Sequence, residues 1–211
     1  LLLLLPLLSG GLAWLLDSQQ ENGAVFPFAP GDRLEAWKVK EGDDVAFRRI
    51  LAGAGDFQTV AGNGHVETAP GEVLWVRLTL RNDRDNLVKG VLRQETSYHD
   101  EVDFFSQEVP GWKQVRGGLA MGELAGSLPG DEIAFPVVLP AQATTVFYLR
   151  LNDPYGALCD LRWHTPSGYM RRVQVSSIFD GAYFGVLAGL LFYKAVLSVP
   201  ARQQYMSWYC A

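Results

Sequence analysis

The stretch "EVLWVRLTLRN", residues 72 to 82, decides the fold class of this chain. Aliphatic side chains occupy every second position, and bulky, polar or charged ones occupy the positions between them. One face is formed by Leu74, Val76, Leu78 and Leu80, and the other by Trp75, Arg77, Thr79 and Arg81. A repeat of two residues is typical of a β-strand that packs one face against a core. The stretch therefore predicts a β-strand whose leucine side is buried.

A second stretch, "TVFYLRLND" at residues 145 to 153, repeats this alternation. Further short strand candidates are "EVDFFSQ", "EIAFPVVLP" and "LCDLRWHTP", with Gly- and Pro-containing turns between them. Many short strands joined by such turns predict a mainly β domain, an antiparallel jelly roll or β-sandwich, which we place at residues 33–170. Residues 17–32 are expected to be a linker into this domain.

Apolar segments lie at both ends of the chain. Residues 1–16, "LLLLLPLLSGGLAWLL", predict a secretory signal peptide or, alternatively, an uncleaved membrane anchor. Apart from Asp180 and Lys194, residues 178–199 are apolar over the length of about 20 residues that a transmembrane helix needs. Lys194 lies near the end of this helix, where its long side chain can reach the headgroups. Residues 204–211 are aromatic and apolar and predict the start of a second, truncated transmembrane helix.

Three glycines of the first predicted transmembrane helix, Gly181, Gly185 and Gly189, recur every four residues and therefore share one helix face. In lipid, such a face lets another helix approach closely. We expect this helix to pack with other transmembrane helices of the same chain, although glycine is also common in transmembrane helices generally.

The composition argues against several functions. The net charge of −5 makes nucleic acid an unsuitable partner. The two cysteines, Cys159 and Cys210, are too few for a disulfide framework and fit no metal site. Phosphate-binding and hydrolase motifs are missing, so we predict no catalytic residue and no cofactor, with a surface hydrolase as an alternative.

The stretch "HDEVD" would place His99, Glu101 and Asp103 on one face of a strand, where three such side chains could hold a metal ion. A solvated strand edge is the favoured interpretation, and no metal site is predicted.

A ligand-binding face is the more specific prediction. If the leucine sides of the two alternating strands form the core, Trp75, Arg77, Tyr148 and Arg150 lie on the opposite, partly open face. Guanidinium groups can bind a carboxylate or a sugar through forked hydrogen bonds, and aromatic rings can stack on a sugar. The alternative is that the two arginines form structural ion pairs and that Trp75 covers the sheet.

The order of these segments resembles bacterial seven-transmembrane receptors with diverse intracellular signalling modules, in particular their second type of extracellular domain. The W-x-R strand of that family, which ends in Asn, is matched by Trp75, Arg77 and Asn82, and its Y-x-R strand by Tyr148 and Arg150. The glycine motif of the first transmembrane helix is also matched, but Lys194 stands where the family has Asn. The resemblance covers residues 33 to 211.

The resemblance implies a jelly-roll sensor domain in the bacterial periplasm, held at the inner membrane, with a carbohydrate or related small molecule as its ligand. It also implies seven transmembrane helices and a cytoplasmic output module such as a diguanylate cyclase or a histidine kinase. Receptors of this kind often signal as homodimers. The alternative function is a membrane-anchored lectin-like or structural β-domain without a signalling role.

Overall fold

The computed structural model describes residues 23–95, 99–108, 110–119, 128 and 133–201. The predicted signal segment, residues 1–16, and the predicted second helix, residues 204–211, lie outside these residues. Within them the chain forms twelve strands and two α-helices. The strands are β1 Ala24–Val25, β2 Arg33–Lys40, β3 Gln58–Thr59, β4 Val66–Glu67, β5 Glu72–Asn82, β6 Val88–Gln94, β7 Glu101–Glu108, β8 Gly111–Gly117, β9 Ala134–Leu139, β10 Ala143–Asn152, β11 Leu158–Cys159 and β12 Leu161–His164. The helices are α1 Phe47–Leu51 and α2 Pro166–Ala201.

The strands pair antiparallel and form two main sheets. The larger sheet has the order β3-β2-β5-β10-β7-β8, and the smaller has the order β1-β12-β6-β9. A separate short pair joins β11 to β4. The prediction of a mainly β, antiparallel sandwich followed by a long apolar helix is confirmed.

The main core lies on the leucine side of β5. Leu74, Val76, Leu78 and Leu80 are at most 1% exposed and join one hydrophobic cluster with residues of both sheets. Phe104 of the larger sheet stacks on Phe135 of the smaller one, with ring centroids 4.4 Å apart. Burying each such side chain contributes about 1.5–3 kcal/mol, so the alternation in β5 is sufficient to orient the strand.

Part of the stretch predicted as a linker belongs to the sandwich. Ala24 and Val25 pair with β12, and the Phe26 side chain is buried in the main core. The ring of Phe26 packs against Gly64, where an added Cβ would lie 3.0 Å from it. A buried aromatic ring is more stable than an exposed one, which explains why the domain begins before β2.

A second hydrophobic cluster covers the other face of the larger sheet. The segment between β2 and β3 contains α1 and folds over this face. Its side chains pack with residues of β5, β7 and β10; the buried members of the cluster are Ile50, Val73, Trp75, Phe105 and Tyr148. The face that the alternating strands predict to be partly open is therefore covered at its centre by the chain itself.

Helix α2 follows the sandwich after one residue. Pro166 occupies its first position, and Thr165 Oγ1 accepts a hydrogen bond from the Gly168 N–H at 3.1 Å, which is the usual pattern at a helix start. The chain divides into two compact units after Tyr169. Helix α2 is long and apolar enough to cross a membrane. The predicted transmembrane residues, 178–199, lie within it.

The first turn of α2 is anchored in the sandwich unit. Tyr169 is fully buried, and its ring contacts the His164 ring edge-on, with centroids 6.2 Å apart. Arg93, also fully buried, donates a hydrogen bond from Nε to His164 Nε2 at 3.1 Å. These contacts join β6, β12 and the start of α2, because buried polar groups of this kind hold their neighbours in one arrangement.

Candidate functional site

The strand register places the four predicted binding residues side by side. Tyr148 lies directly opposite Arg77, and Arg150 directly opposite Trp75, on the paired strands β10 and β5. Directly opposed residues of antiparallel strands have Cβ atoms about 5 Å apart. The four side chains therefore form one patch on the outer face of the larger sheet.

The two aromatic members of the patch are buried. Trp75 is 1% exposed and Tyr148 is 9% exposed. Phe47 of α1 stacks on Trp75, with centroids 6.3 Å apart, and contacts the Tyr148 ring edge-on at 5.4 Å. The Phe47 ring also lies 3.9 Å from the Phe105 ring. These rings thus serve to attach the covering segment to the sheet.

Arg77 forms an ion pair with Glu35 of the neighbouring strand. Its Nε and Nη2 donate to the two carboxylate oxygens at 2.7 and 2.6 Å, and its guanidinium lies 4.9 Å from the centre of the Phe57 ring. The hydrogen bonds from Arg77 hold the pKa of Glu35 below its ordinary value, although partial burial acts in the opposite direction. This geometry is the structural ion pair that the sequence left open as an alternative.

Arg150 is surrounded by carboxylates. Its Nε donates to Asp44 at 2.7 Å, and its Nη1 donates to Glu101 at 3.0 Å and to Asp103 at 3.4 Å. Burial alone would lower the pKa of Arg150, but the hydrogen bonds to Glu101 and Asp44 outweigh burial and raise it. Asp44 also accepts a hydrogen bond from Trp75 Nε1 at 2.8 Å, so the same carboxylate fixes the covering segment.

A cavity of about 470 Å³ opens beside Arg150. Its polar lining includes Asp44, Glu101, Asp103, Gln114, Arg116 and Arg150, and its aromatic lining is Phe47, Trp75 and Phe105. Two of the predicted residues, Trp75 and Arg150, line this cavity. The lining does not include Arg77 and Tyr148, which lie next to it on the sheet.

Several polar groups of this cavity remain accessible. The Glu101 side chain is 42% exposed and the Arg116 side chain 58% exposed. The hydrogen bond from Arg150 keeps the pKa of Glu101 below its ordinary value against the effect of burial, so this group is a carboxylate at neutral pH. Within the described part of the chain, Arg150 Nη2 has no hydrogen-bond partner. The cavity thus presents both a hydrogen-bond acceptor and unused donors.

Sequence reasoning missed Asp44 and Arg116 in this cavity. The sequence pattern indicates Glu101 and Asp103 only as candidate metal ligands together with His99. His99 lies before the start of β7, is buried, and donates a hydrogen bond from Nε2 to the Leu158 carbonyl at 2.8 Å. Among the described residues, no group of three or more His, Cys, Asp or Glu could hold a metal ion. The two carboxylates are instead partners of Arg150.

Comparison with known protein families identifies most of the sandwich. The family described as 7TMR-DISM extracellular 2 matches residues 32–165. The match begins just before β2 and ends just before α2, so it includes the whole lining of the cavity beside Arg150. No curated protein matches the chain.

Proposed function

We propose that this chain, which belongs to the 7TMR-DISM extracellular 2 family, binds a carbohydrate in the cavity beside Arg150 as the sensor region of a membrane receptor. The family match and the apolar helix α2 give an extracellular domain that is joined directly to a membrane helix. The observation that carries the ligand proposal is the pairing of Arg150 with the accessible carboxylate of Glu101 beside aromatic rings.

The chemistry of the cavity suits a neutral sugar. Adjacent hydroxyl groups of a sugar donate hydrogen bonds to a carboxylate such as Glu101 and accept them from guanidinium groups such as those of Arg150 and Arg116. Phe47, the aromatic lining residue that is not buried, offers apolar surface to the C–H groups of the sugar ring. The lining carries three carboxylates and two guanidinium groups, so a ligand with an acidic group would be repelled.

Arg77 and Tyr148 have an indirect role in this proposal. Arg77 is engaged by Glu35, and Tyr148 is covered by Phe47 and Phe57. Both support the strands and the covering segment that hold Trp75 and Arg150 at the cavity. They are positioning residues for the ligand rather than contacts to it.

The receptor proposal extends beyond the sensor domain. Residues 33–170 would lie in the periplasm of a bacterium, with the receptor in the inner membrane and α2 in a bundle with further transmembrane helices of the same chain. Ligand binding would favour one of two arrangements of this bundle. The size of the shift would be set by the difference between the ligand's affinities for the two arrangements. The proposed receptor also includes a cytoplasmic output module and acts as a homodimer. The family resemblance supports both parts of this proposal.

The ligand site is tested by comparing Glu101→Gln with Glu108→Gln. Both residues are on β7, but Glu108 is paired with Lys113 at 3.2 Å and is not part of the cavity lining. The full chain is placed in nanodiscs of a neutral lipid, its tryptophans are labelled with ¹⁵N, and glucose, galactose, mannose, N-acetylglucosamine and their β-linked oligomers are titrated. We expect a sugar of this panel to shift the Trp75 indole resonance, because this ring lines the cavity.

Glu101→Gln should weaken binding of that sugar about tenfold or more, because a hydrogen bond to a charged group contributes about 1.5–3 kcal/mol. Glu108→Gln should bind as the unchanged chain does. Thermal melts confirm that both variants fold. The proposed site is wrong if none of these sugars moves the Trp75 resonance, or if both variants bind equally.

A further inference from the structure

A second cavity, of about 300 Å³, lies where β5 ends and β6 begins. Its lining includes Leu80, Arg81 and Asn82 of β5, whereas Trp75 of the same strand lines the first cavity. With a rise of about 3.3 Å per residue, Trp75 and Arg81 are about 20 Å apart along the strand. The two cavities are therefore separate sites, and the family resemblance assigned no residue of the second one except Asn82.

The floor of the second cavity is aromatic and apolar. Trp163 of β12 lies across Gly90 of β6 so closely that a Cβ at position 90 would come within 2.0 Å of the indole ring. Phe28 lies beside this indole, with centroids 5.9 Å apart. Leu80, Val88 and Leu139 add aliphatic surface. Since only glycine leaves room for the ring here, the indole can pack directly against the β6 backbone.

The rim of the second cavity carries an excess of positive charge. Arg81, Arg84 and Lys89 line it together with a single carboxylate, Asp32. Arg81 is paired with Asp83 at 2.5 Å. Asp32 is engaged by backbone groups, because its oxygens accept the N–H of Ala29 at 2.7 Å and of Arg81 at 3.0 Å.

Two of these cations are left without a counter-ion. Across the residues that the structure describes, the side chains of Arg84 and Lys89 make no hydrogen bond or ion pair. Asp85 is adjacent to Arg84 in sequence, but its carboxylate accepts a hydrogen bond from Gln142 Nε2 at 2.9 Å instead. A chain with a net charge of −5 thus presents two unpaired cations above an aromatic floor.

We infer that this second cavity binds a small amphipathic anion, in which a phosphate or carboxylate group is attached to a ring or a short apolar body. Arg84 and Lys89 would bind the anionic group, and the indole of Trp163 would contact the apolar body. This ligand differs in charge from the neutral sugar proposed for the first cavity. Its source is either a soluble metabolite or an anionic lipid, since both supply the same chemistry.

The position of the second cavity gives its occupant access to the start of α2. Thr165 belongs to the lining and precedes Pro166, the first residue of the helix. The same Thr165 hydroxyl accepts the Gly168 N–H and thereby caps the helix. A ligand in this cavity would therefore contact the residue at which the sensor domain passes into the membrane helix.

The inference is tested with three probes that separate charge from ring. Phenyl phosphate carries both features, inorganic phosphate carries only the charge, and phenol carries only the ring. The full chain with ¹⁵N-labelled tryptophan is titrated in nanodiscs of phosphatidylcholine, and Trp163→Phe identifies the indole resonance. We expect phenyl phosphate to shift the Trp163 resonance. It should bind about tenfold more tightly than either other probe, because each of them lacks one of its two contacts and a contact of about 1.4 kcal/mol is a factor of ten.

Charge-reversed variants supply the control. Arg84→Glu combined with Lys89→Glu should lower the affinity for phenyl phosphate about tenfold or more. Arg48→Glu combined with Arg49→Glu makes the same charge change at two exposed positions of α1 and should leave its affinity unchanged. The inference is overturned if phenyl phosphate binds no better than phenol or inorganic phosphate, or if the Arg84 and Lys89 variant retains full affinity.

A lipid arm identifies the source of the anion. In nanodiscs rich in phosphatidylglycerol, at a salt concentration that screens the surface charge, a weaker apparent affinity for phenyl phosphate than in phosphatidylcholine at the same salt would show that the lipid occupies the cavity. An unchanged affinity would favour a soluble anion. Both results support an amphipathic anion. If phenyl phosphate shifts Trp75 rather than Trp163, the inference fails, and the sugar titration at Trp75 remains an independent test of the first cavity.

Discussion

The pair of Glu35 and Arg77 shows how a charged contact is placed next to an aromatic cluster. The two residues are direct neighbours across β2 and β5, and the guanidinium lies over Phe57 of the covering segment. Both hydrogen bonds of the pair are short, and the Glu35 side chain is only 20% exposed. At such a position a carboxylate is stabilised in its charged form, which makes folding depend on pH.

Glu35→Gln should therefore make the sandwich less sensitive to acid. Because the folded-state pKa of Glu35 is lowered, its contribution to stability is present above the ordinary glutamate pKa of about 4.3 and is lost as the pH falls through the folded value. We expect the unfolding midpoint of the unchanged chain to drop more steeply with acid below about pH 5 than that of the variant. At pH 7 the variant should be about 1–2 kcal/mol less stable. Thermal melts followed at a series of pH values measure both effects.

The matched control for this prediction is Glu41→Gln, which changes an exposed glutamate just after β2. It should leave the pH dependence of the melt unchanged. Equal acid slopes for the two variants would show that Glu35 does not contribute as described.

At the scale of elements, the alternating strands could be predicted and the covering segment could not. Strand β5 occupies the quoted residues 72 to 82, because a repeat of two fixes both the strand and its buried side. The same repeat in β10 explains why Trp75, Arg77, Tyr148 and Arg150 meet on one face.

The cover over that face has no comparable sequence signal. Helix α1 has five residues, too few to show a helical repeat. The contact between Asp44 and Arg150 joins positions 106 residues apart, and no local pattern encodes such a distance. The sequence thus predicts which residues share the patch but not that the covering segment buries it. It also predicts Arg150 but not Asp44, the carboxylate through which the covering segment binds the sheet.

The covering segment should depend on one side chain of α1. Ile50 is 4% exposed and belongs to the second hydrophobic cluster, whereas its neighbour Leu51 is 43% exposed. Ile50→Ala should lower the free energy of unfolding by about 2–5 kcal/mol, because it leaves a cavity among aromatic rings. Leu51→Ala on the same helix should change it by less than about 0.5 kcal/mol. Denaturant titrations compare the two, and similar losses would mean that α1 does not hold the cover in place.

At the scale of the sandwich, the same strands carry both hydrophobic clusters. Neighbouring residues of β5, Leu74 and Trp75, belong to opposite clusters, and so do Phe104 and Phe105 of β7. Separating these strands would therefore expose both faces at once. We therefore expect the two clusters to open together, as one cooperative unit, rather than as an independent cover and core.

The buried thiol of Cys159 provides a test of this cooperativity. Cys159 belongs to the main core, and burial raises its pKa to about 12, so the reactive thiolate forms only when the core opens. In a Cys210→Ala background, labelling of Cys159 by a thiol reagent should therefore report on opening of the main core alone. Ile50→Ala lies in the other cluster, yet it should speed this labelling about tenfold for every 1.4 kcal/mol of stability that it removes.

Leu51→Ala should leave the labelling rate close to that of the unchanged chain, because its side chain is exposed. If Ile50→Ala lowers the stability of the cover, seen as a change in tryptophan fluorescence, but leaves Cys159 as protected as before, the two clusters open separately. In that case the covering segment could move without disturbing the core, and access to the cavity beside Arg150 would be governed by the cover. If tryptophan fluorescence and Cys159 labelling instead report the same loss of stability, the cover and the core open together. Access to the cavity would then depend on opening of the whole sandwich.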